Sequence, residues 1–354
     1  MIIDKRKEKQ QELIDCIIQN KYSGIFVASP RFGKTYCLLK ALEPIKHLKI
    51  LVIVPFDTIR QSWEHEIVKW GYKGSLDIII RNSLKTVDLT SYNLIVKDEC
   101  HLLADSEITL LKQAKKPILA ITGTLGKKAK EKWLYQLGLK EKFRYDVNDA
   151  VEDNIVSGYK VYLHKCFLDN TEKKIPVGNK LYTERMAYNS YTASMEYFAD
   201  SYQRKMYYAG KRARLLYNST NKLIKAKELV GKAKRVLVFT ALTDIANKLC
   251  RKVVHSKGRN NAETLDGFKR SKFNKVAAVS MIDMGVTILN LKHAIIHQLN
   301  SVEERAIQRI LRVMNYEGNK DARIDIIYIP DTVDEEWINK ALAFVPEEKI
   351  IYVN

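Results

Sequence analysis

The chain has 354 residues, enough for two domains of ordinary size, with 60 Lys and Arg against 41 Asp and Glu, a formal charge of +19. Cationic surface of that extent attracts phosphate backbones and releases their counterions, so a polyanionic partner is expected. Five scattered cysteines without a CxxC pair argue against a disulfide framework or structural zinc, and no apolar run reaches the roughly 18 residues of a membrane span.

The N-terminus, MIIDKRKEKQQ, is charged and lacks the apolar centre of a signal peptide, which predicts a cytoplasmic location. Strands are predicted at 24–28, 49–54, 77–80, 93–97 and 117–121, and again at 235–239, 275–280, 293–297 and 324–329. Their near-continuous Val, Ile and Leu content predicts strands covered on both faces, as in parallel sheets flanked by helices. Residues 1–150 and 235–354 are therefore expected to be two α/β domains. Between them, 151–234 is expected to be a helical connector: Tyr182 to Lys234 carries Met, Tyr, Lys and Arg at helical spacing, strand-like alternation is lacking after about residue 167, and Gly231 lies near the hinge.

Residues 28–35 read Ala-Ser-Pro-Arg-Phe-Gly-Lys-Thr, between the strand at 24–28 and an apolar helix at 36–42. This is the arrangement of a phosphate loop, with Ala28 in the place usually held by Gly. Backbone N–H groups of Ser29, Pro30's neighbours Arg31 and Phe32, and Gly33, with the positive end of the helix, can cradle phosphates. Lys34 would neutralise them and the Thr35 hydroxyl would hold Mg²⁺, which makes ATP and Mg²⁺ the expected ligands. About sixty residues on, Asp98-Glu99-Cys100-His101 follows the strand at 93–97. An adjacent carboxylate pair suits one group that holds Mg²⁺, Asp98, and one that orients and deprotonates the attacking water, Glu99. Read alone, Asp-Glu is a solvated turn; paired with the phosphate loop at this spacing, it reads as catalytic, and His101 belongs to the same box.

In this order the motifs resemble superfamily 2 helicases of the DEAH/DECH type. The resemblance implies two tandem RecA-like domains and nucleic-acid-dependent ATP hydrolysis. Gln10, in KQQELI, looks like the family's adenine-reading glutamine. Residues 50–67, with Pro55 ending a strand and Gln61 and Trp63 on the following helix, resemble a motif that contacts the nucleic-acid backbone. Thr122-Gly123-Thr124 resembles the motif that couples hydrolysis to strand movement, and 235–241 the opening strand of the second motor domain. Gly285, within Ser280–Thr287, would lie on the γ-phosphate side. Gln308-Arg309-Ile310-Leu311-Arg312 resembles the arginine-finger motif, with Arg312 as the finger and Gln308 and Arg309 in support. Leu311 stands where the family has Gly, and Asn315 where it has a further Arg.

DECH and TGT depart from the DEAD-box pattern, and 279–315 looks closest to phage branch-migration helicases of the UvsW type. The expectation is a DNA helicase or translocase in replication, recombination or repair, acting on forked, branched or duplex DNA, with replication or recombination proteins as further partners. An RNA helicase is the alternative, as is a nucleic-acid-binding scaffold with a degenerate ATPase. In the 151–234 segment, Tyr and basic residues could stack on bases and track phosphates, or pack on the motor domains with a solvated basic face.

Overall fold

The computed structural model describes residues 4–29, 31–155, 158–255, 258, 260–279, 291–298, 321–343 and 345–353. Pro30, Gly285, Gln308, Arg309, Leu311, Arg312 and Asn315 lie outside them. The chain divides into two compact units, the first running to Gly158 and the second beginning at Tyr159. Among the described residues, no helix is long and apolar enough to cross a membrane.

In the first unit, six strands are described: β1 (Gly24–Ala28), β2 (Ile50–Val54), β3 (Leu76–Ile80), β4 (Leu94–Lys97), β5 (Ile118–Thr122) and β6 (Glu141–Tyr145). They form one parallel sheet in the order β3-β2-β4-β5-β1-β6. β1, β2, β4 and β5 are buried along their whole length, which is why they read as unbroken apolar runs. The helices α1 (Lys5–Gln19), α2 (Lys34–Leu42), α3 (Asp57–Trp70), α4 (Asp105–Ala114), α5 (Lys127–Leu137) and α6 (Val147–Glu152) make the connections. α1 buries Leu13, Ile14 and Ile17, a single stripe spaced by helical turns. β6 was not expected: its EKFRY pattern alternates between partly buried and exposed, as suits a strand at the sheet edge.

The second sheet corrects the expected boundaries. Its strands are β7 (Tyr159–Lys165), β10 (Val236–Thr240), β11 (Val253–His255), β12 (Lys275–Val279), β13 (His293–Ile296), β14 (Ala322–Tyr328) and β15 (Ile350–Val353). They lie parallel in the order β11-β12-β10-β13-β14-β7-β15. β7 comes from the stretch expected to be a connector, yet pairs with β14 from Tyr159↔Ala322 to Tyr328↔Lys165 and carries β15 on its other edge. The second domain thus starts near residue 159, not 235.

Residues 166–234 of that stretch also belong to the second unit, while 151–158 belong to the first. After β7, a short antiparallel hairpin of β8 (Ile175–Val177) and β9 (Lys180–Tyr182) leads to α7 (Glu184–Tyr197), α8 (Tyr202–Tyr217) and α9 (Thr220–Lys232). Ala187, Tyr188, Tyr191, Leu216 and Ala226 share one apolar core with Val236, Val238, Ile295 and Ile327 of the sheet. The Lys222 ammonium of α9 is fully buried, 2.8 Å from Asp334 at the start of α12 (Val333–Leu342) and 3.0 Å from Gln298. Gly231 lies within the last turn of α9 rather than at a hinge. Two further helices, α10 (Thr243–Leu249) and α11 (Asn261–Lys269), flank the sheet.

Candidate functional site

The sheet order of the first unit puts β4, β5 and β1 side by side, so the loops leaving their C-terminal ends converge. In a parallel sheet these ends are where helix N-termini and irregular backbone meet to bind ligands. The register sets the details: Val27 lies opposite Thr122 on β5, and Lys97 on β4 opposite Ala120. The phosphate loop, the acidic box and TGT therefore occupy neighbouring strand ends.

The phosphate loop is held from three sides. The Ser29 N–H donates to the Tyr145 carbonyl at 2.8 Å, and the Phe32 N–H donates to the Ser29 carbonyl at 3.2 Å. The Phe32 ring is fully buried and packs on Tyr145, with ring centroids 5.1 Å apart. Gln10 of α1 donates its Nε2 to the Phe32 carbonyl at 2.6 Å. Two residues turn the chain in the left-handed region, Arg31 at φ +64° and Gly33 at φ +95°. The left-handed backbone at Gly33 demands glycine, while a Cβ there would stand 2.6 Å from Gln10 Nε2 and oblige that flexible side chain to shift. Lys34 and Thr35 then open α2, whose first N–H groups have no partner within the helix and whose dipole is positive at that end. The Ser29 hydroxyl is buried without a hydrogen-bond partner among the described residues, an oxygen left to meet a ligand.

At the end of β4, the Asp98 N–H donates to the Ile53 carbonyl, and the side chain turns into the protein. Its Oδ2 accepts from the Trp63 indole N–H at 2.8 Å and its Oδ1 from the Glu99 N–H at 2.8 Å. Burial and the neighbouring Glu99 push this carboxyl up; the Trp63 hydrogen bond and the charge of Lys34 offset only part of that. Trp63 lies on α3, the helix after the strand as expected, and is buried there as a brace for Asp98. Gln61 of the same helix is exposed and donates to Asp57 at 2.7 Å.

Glu99 adopts φ +46°, a left-handed conformation that non-glycine residues seldom hold without a constraint. Its Oε2 lies 3.3 Å from the Thr122 hydroxyl and 3.4 Å from His101 Nδ1. His101 Nδ1 is in turn 2.8 Å from the Thr122 hydroxyl, which reaches the Thr124 carbonyl at 2.8 Å. A hydroxyl has one proton, and the nearer carbonyl is purely an acceptor. Thr122 therefore donates to Thr124, and His101 Nδ1 carries the proton that faces Thr122. The acidic box and TGT are thus joined by one threonine.

Behind the box stands an ion cluster that sequence reading did not single out. The buried Lys97 ammonium is 3.0 Å from Glu107, whose other oxygen meets Arg81 at 2.9 Å and the Ala104 N–H at 2.8 Å. Trp133 closes the turn from beneath, donating to the Cys100 carbonyl at 2.9 Å. No local pattern marks Glu107 or Trp133, and none pairs Trp63 with Asp98; the role of a buried tryptophan N–H is found only when its partner is known.

The structure therefore brings together Gln10, Ser29, Arg31, Phe32, Gly33, Lys34, Thr35, Asp98, Glu99 and His101, all within the first unit. No protein-family model and no curated protein matches the sequence. Solved structures do. S. cerevisiae Dbp5 bound to RNA and ADP BeF3 matches at a TM-score of 0.64 and 10% identity, covering 97% of this chain and 88% of that one. The Pyrococcus furiosus Hef helicase domain matches at 0.52 and 15%, covering 94% and 98%. The DNA-bound, ATP-dependent Type ISP restriction-modification enzyme LlaBIII matches at 0.61 and 12%; all of this chain spans 31% of that enzyme. At such low identity the likeness establishes architecture: two tandem RecA-like α/β domains.

Proposed function

We propose that the chain is an ATP-dependent DNA helicase or translocase of superfamily 2, with hydrolysis carried by the first unit's strand-end loops. The observation that supports it is the convergence on adjacent strands of Lys34 and Thr35, Asp98 and Glu99, and Thr122. Nothing but a polyphosphate explains a helix N-terminus, a lysine and a carboxylate pair at one place so economically. Gln10 reads the adenine edge while bracing the loop. Lys34 and the N–H groups of Ser29, Arg31, Phe32 and Gly33 hold the phosphates.

Thr35 and Asp98 are hard oxygen donors that fit Mg²⁺, and a buried carboxyl pushed up by desolvation gains from a cation beside it. When bound, the ion supplies charge neutralisation on the phosphoryl oxygens. Both Asp98 oxygens already accept hydrogen bonds, so the group is fixed in direction before it meets a ligand. Glu99 orients and deprotonates the attacking water, with His101 beside its carboxylate. Gln308, Arg309 and Arg312 supply the finger, and Gly285 the γ-phosphate contact, on the strength of their sequence pattern.

DNA is favoured over RNA by the DECH and TGT motifs and by the likeness of 279–315 to branch-migration helicases. An RNA helicase is the second reading, supported by the fold likeness to RNA-bound Dbp5. The test is ATP turnover across single-stranded, duplex, forked and four-way DNA and RNA. Turnover should rise with DNA and vanish in Lys34→Ala and Glu99→Gln, the latter still binding nucleotide. Absence of stimulation by every nucleic acid sinks the motor; preference for RNA selects the second reading; tight binding without turnover selects a scaffold.

A further inference from the structure

The end of the α7–α8 hairpin has a surface that neither packing nor the nucleotide site explains. Six successive residues of α8, 202–207, are all exposed. Six helical positions pass round more than one full turn, so this end of the helix has solvent on every side. Only Leu215 and Leu216, at the far end of α8, are buried. A helix end free on all faces is ordinarily polar, yet this one exposes Tyr202 by 77%, Tyr207 by 57% and Met206 by 52%, and the adjoining Tyr197 of α7 by 84%.

Two of these rings, Tyr197 and Tyr207, belong to a packed row. Tyr197 meets Phe198 edge-on at 4.8 Å, Phe198 stacks parallel on Tyr208 at 5.8 Å, and Tyr208 meets Tyr207 edge-on at 5.2 Å. Tyr208 also touches the buried Tyr191, which ties the row to the core. The row thus ends in an exposed ring on each side. Cations lie over it: Arg204 is 4.9 Å from the Phe198 ring centre and Lys211 is 4.7 Å from that of Tyr207. Over its sixteen residues α8 carries Arg204, Lys205, Lys211, Arg212 and Arg214 and no acidic residue.

Exposed rings, two of them pre-positioned, beside cations with no ion pair among the described residues match an unpaired strand, whose bases offer stacking faces and whose backbone offers phosphates. A duplex hides its base faces and would leave the rings unused. A second copy of this chain, at +19, would bring the same cationic helix against itself. We propose that the free end of the α7–α8 hairpin is a stacking platform for unpaired DNA, with Tyr197, Tyr202 and Tyr207 taking bases and Arg204 and Lys205 taking phosphates. The choice of DNA rests on the proposed function; the platform itself rests on exposure, ring geometry and charge.

The test uses the full chain and a single-stranded DNA oligonucleotide carrying 2-aminopurine, with an RNA counterpart and a blunt duplex alongside. Wild type should quench the probe. Tyr197→Ala, Tyr202→Ala and Tyr207→Ala should each lower single-strand affinity roughly tenfold, while Tyr202→Phe and Tyr207→Phe keep it and blunt-duplex-stimulated ATP turnover stays unchanged. If the triple alanine variant binds and quenches like wild type, the platform is overturned, although duplex-stimulated turnover would leave the motor reading standing. If wild type binds the probe but no nucleic acid stimulates turnover, the platform stands and the motor falls. Losses confined to RNA overturn the assignment to DNA. Altered sedimentation with unaltered oligonucleotide binding marks a protein interface and overturns the proposal.

Discussion

Asp98 and Trp63 are thirty-five residues apart and meet through a 2.8 Å hydrogen bond inside the first unit. The indole N–H does two things there: it satisfies a buried carboxylate oxygen and fixes the direction in which the carboxylate faces Lys34. Trp63→Phe removes that donor along with part of the buried ring, leaving a buried acceptor unpaired at a penalty of about 1–3 kcal/mol and a cavity that adds to the loss. The variant should unfold earlier in urea and turn over ATP at least tenfold more slowly while still binding nucleotide; unchanged turnover would show that Asp98 is positioned without it. At the end of β13, His297 is buried with its Nε2 unpartnered among the described residues, and burial, aided by Lys222, pulls its pKa down to about 3. The unfolded chain takes up a proton near the ordinary histidine value of about 6.5, the folded chain near about 3. Between those values the unfolded state binds more protons, so stability falls as pH drops, by up to about 1.4 kcal/mol per unit. His297→Leu should flatten the slope of stability against pH from 6.5 downward, measured by urea unfolding; an unchanged slope would assign it to other groups.

Among the elements, α9 shows how a segment with an unremarkable sequence is fastened. Its Lys222 is fully buried against Asp334 and Gln298, and Asp334 also accepts from the Ile329 N–H at 3.0 Å. Lys222→Met would leave the Asp334 charge buried without its cation, a loss of about 3–5 kcal/mol. The double variant Lys222→Met with Asp334→Asn removes the orphaned charge and should recover much of that loss in thermal unfolding. Equal destabilisation by both would mean that packing of the lysine stem, not charge pairing, holds the helix. The predicted strands at 24–28, 49–54, 77–80, 93–97 and 117–121 match β1 to β5 closely: β1, β2, β4 and β5 are buried on both faces and carry their signature in every residue, and the half-buried edge strand β3 is marked by its run of three isoleucines. β6, β7 and β15 were not legible: they sit at or near sheet edges, mix polar and apolar residues, and owe their form to a neighbour.

For the molecule as a whole, the second sheet cannot be assembled from residues 235–354. β7 lies between β14 and β15, so without it β14 becomes an open edge and β15 has no strand to join. A fragment of residues 159–354 should unfold cooperatively, and one of residues 235–354 should not, with circular dichroism melting as the measurement. A cooperative transition in the shorter fragment would show that β7 is dispensable. Close by, Asp325 of β14 is fully buried and accepts from His164 of β7 at 2.6 Å, from His293 of β13 and from Arg323. Burial opposes its charge, but those donors outweigh it and hold the carboxyl well below the ordinary range. The cluster spans three adjacent strands, adding a charged tie where the chain leaves and re-enters the sheet.

The amino-acid order by itself determined the phosphate loop, the acidic box, TGT and the apolar central strands, because each is a contiguous run whose chemistry or burial is complete within a few residues. It could not show that Trp63 serves Asp98, that His101 meets both Glu99 and Thr122, or that β7 belongs with a strand some 160 residues further on. Those facts are pairings across the chain, fixed by sheet order and register, and only the tertiary structure decides which distant residues share a strand end.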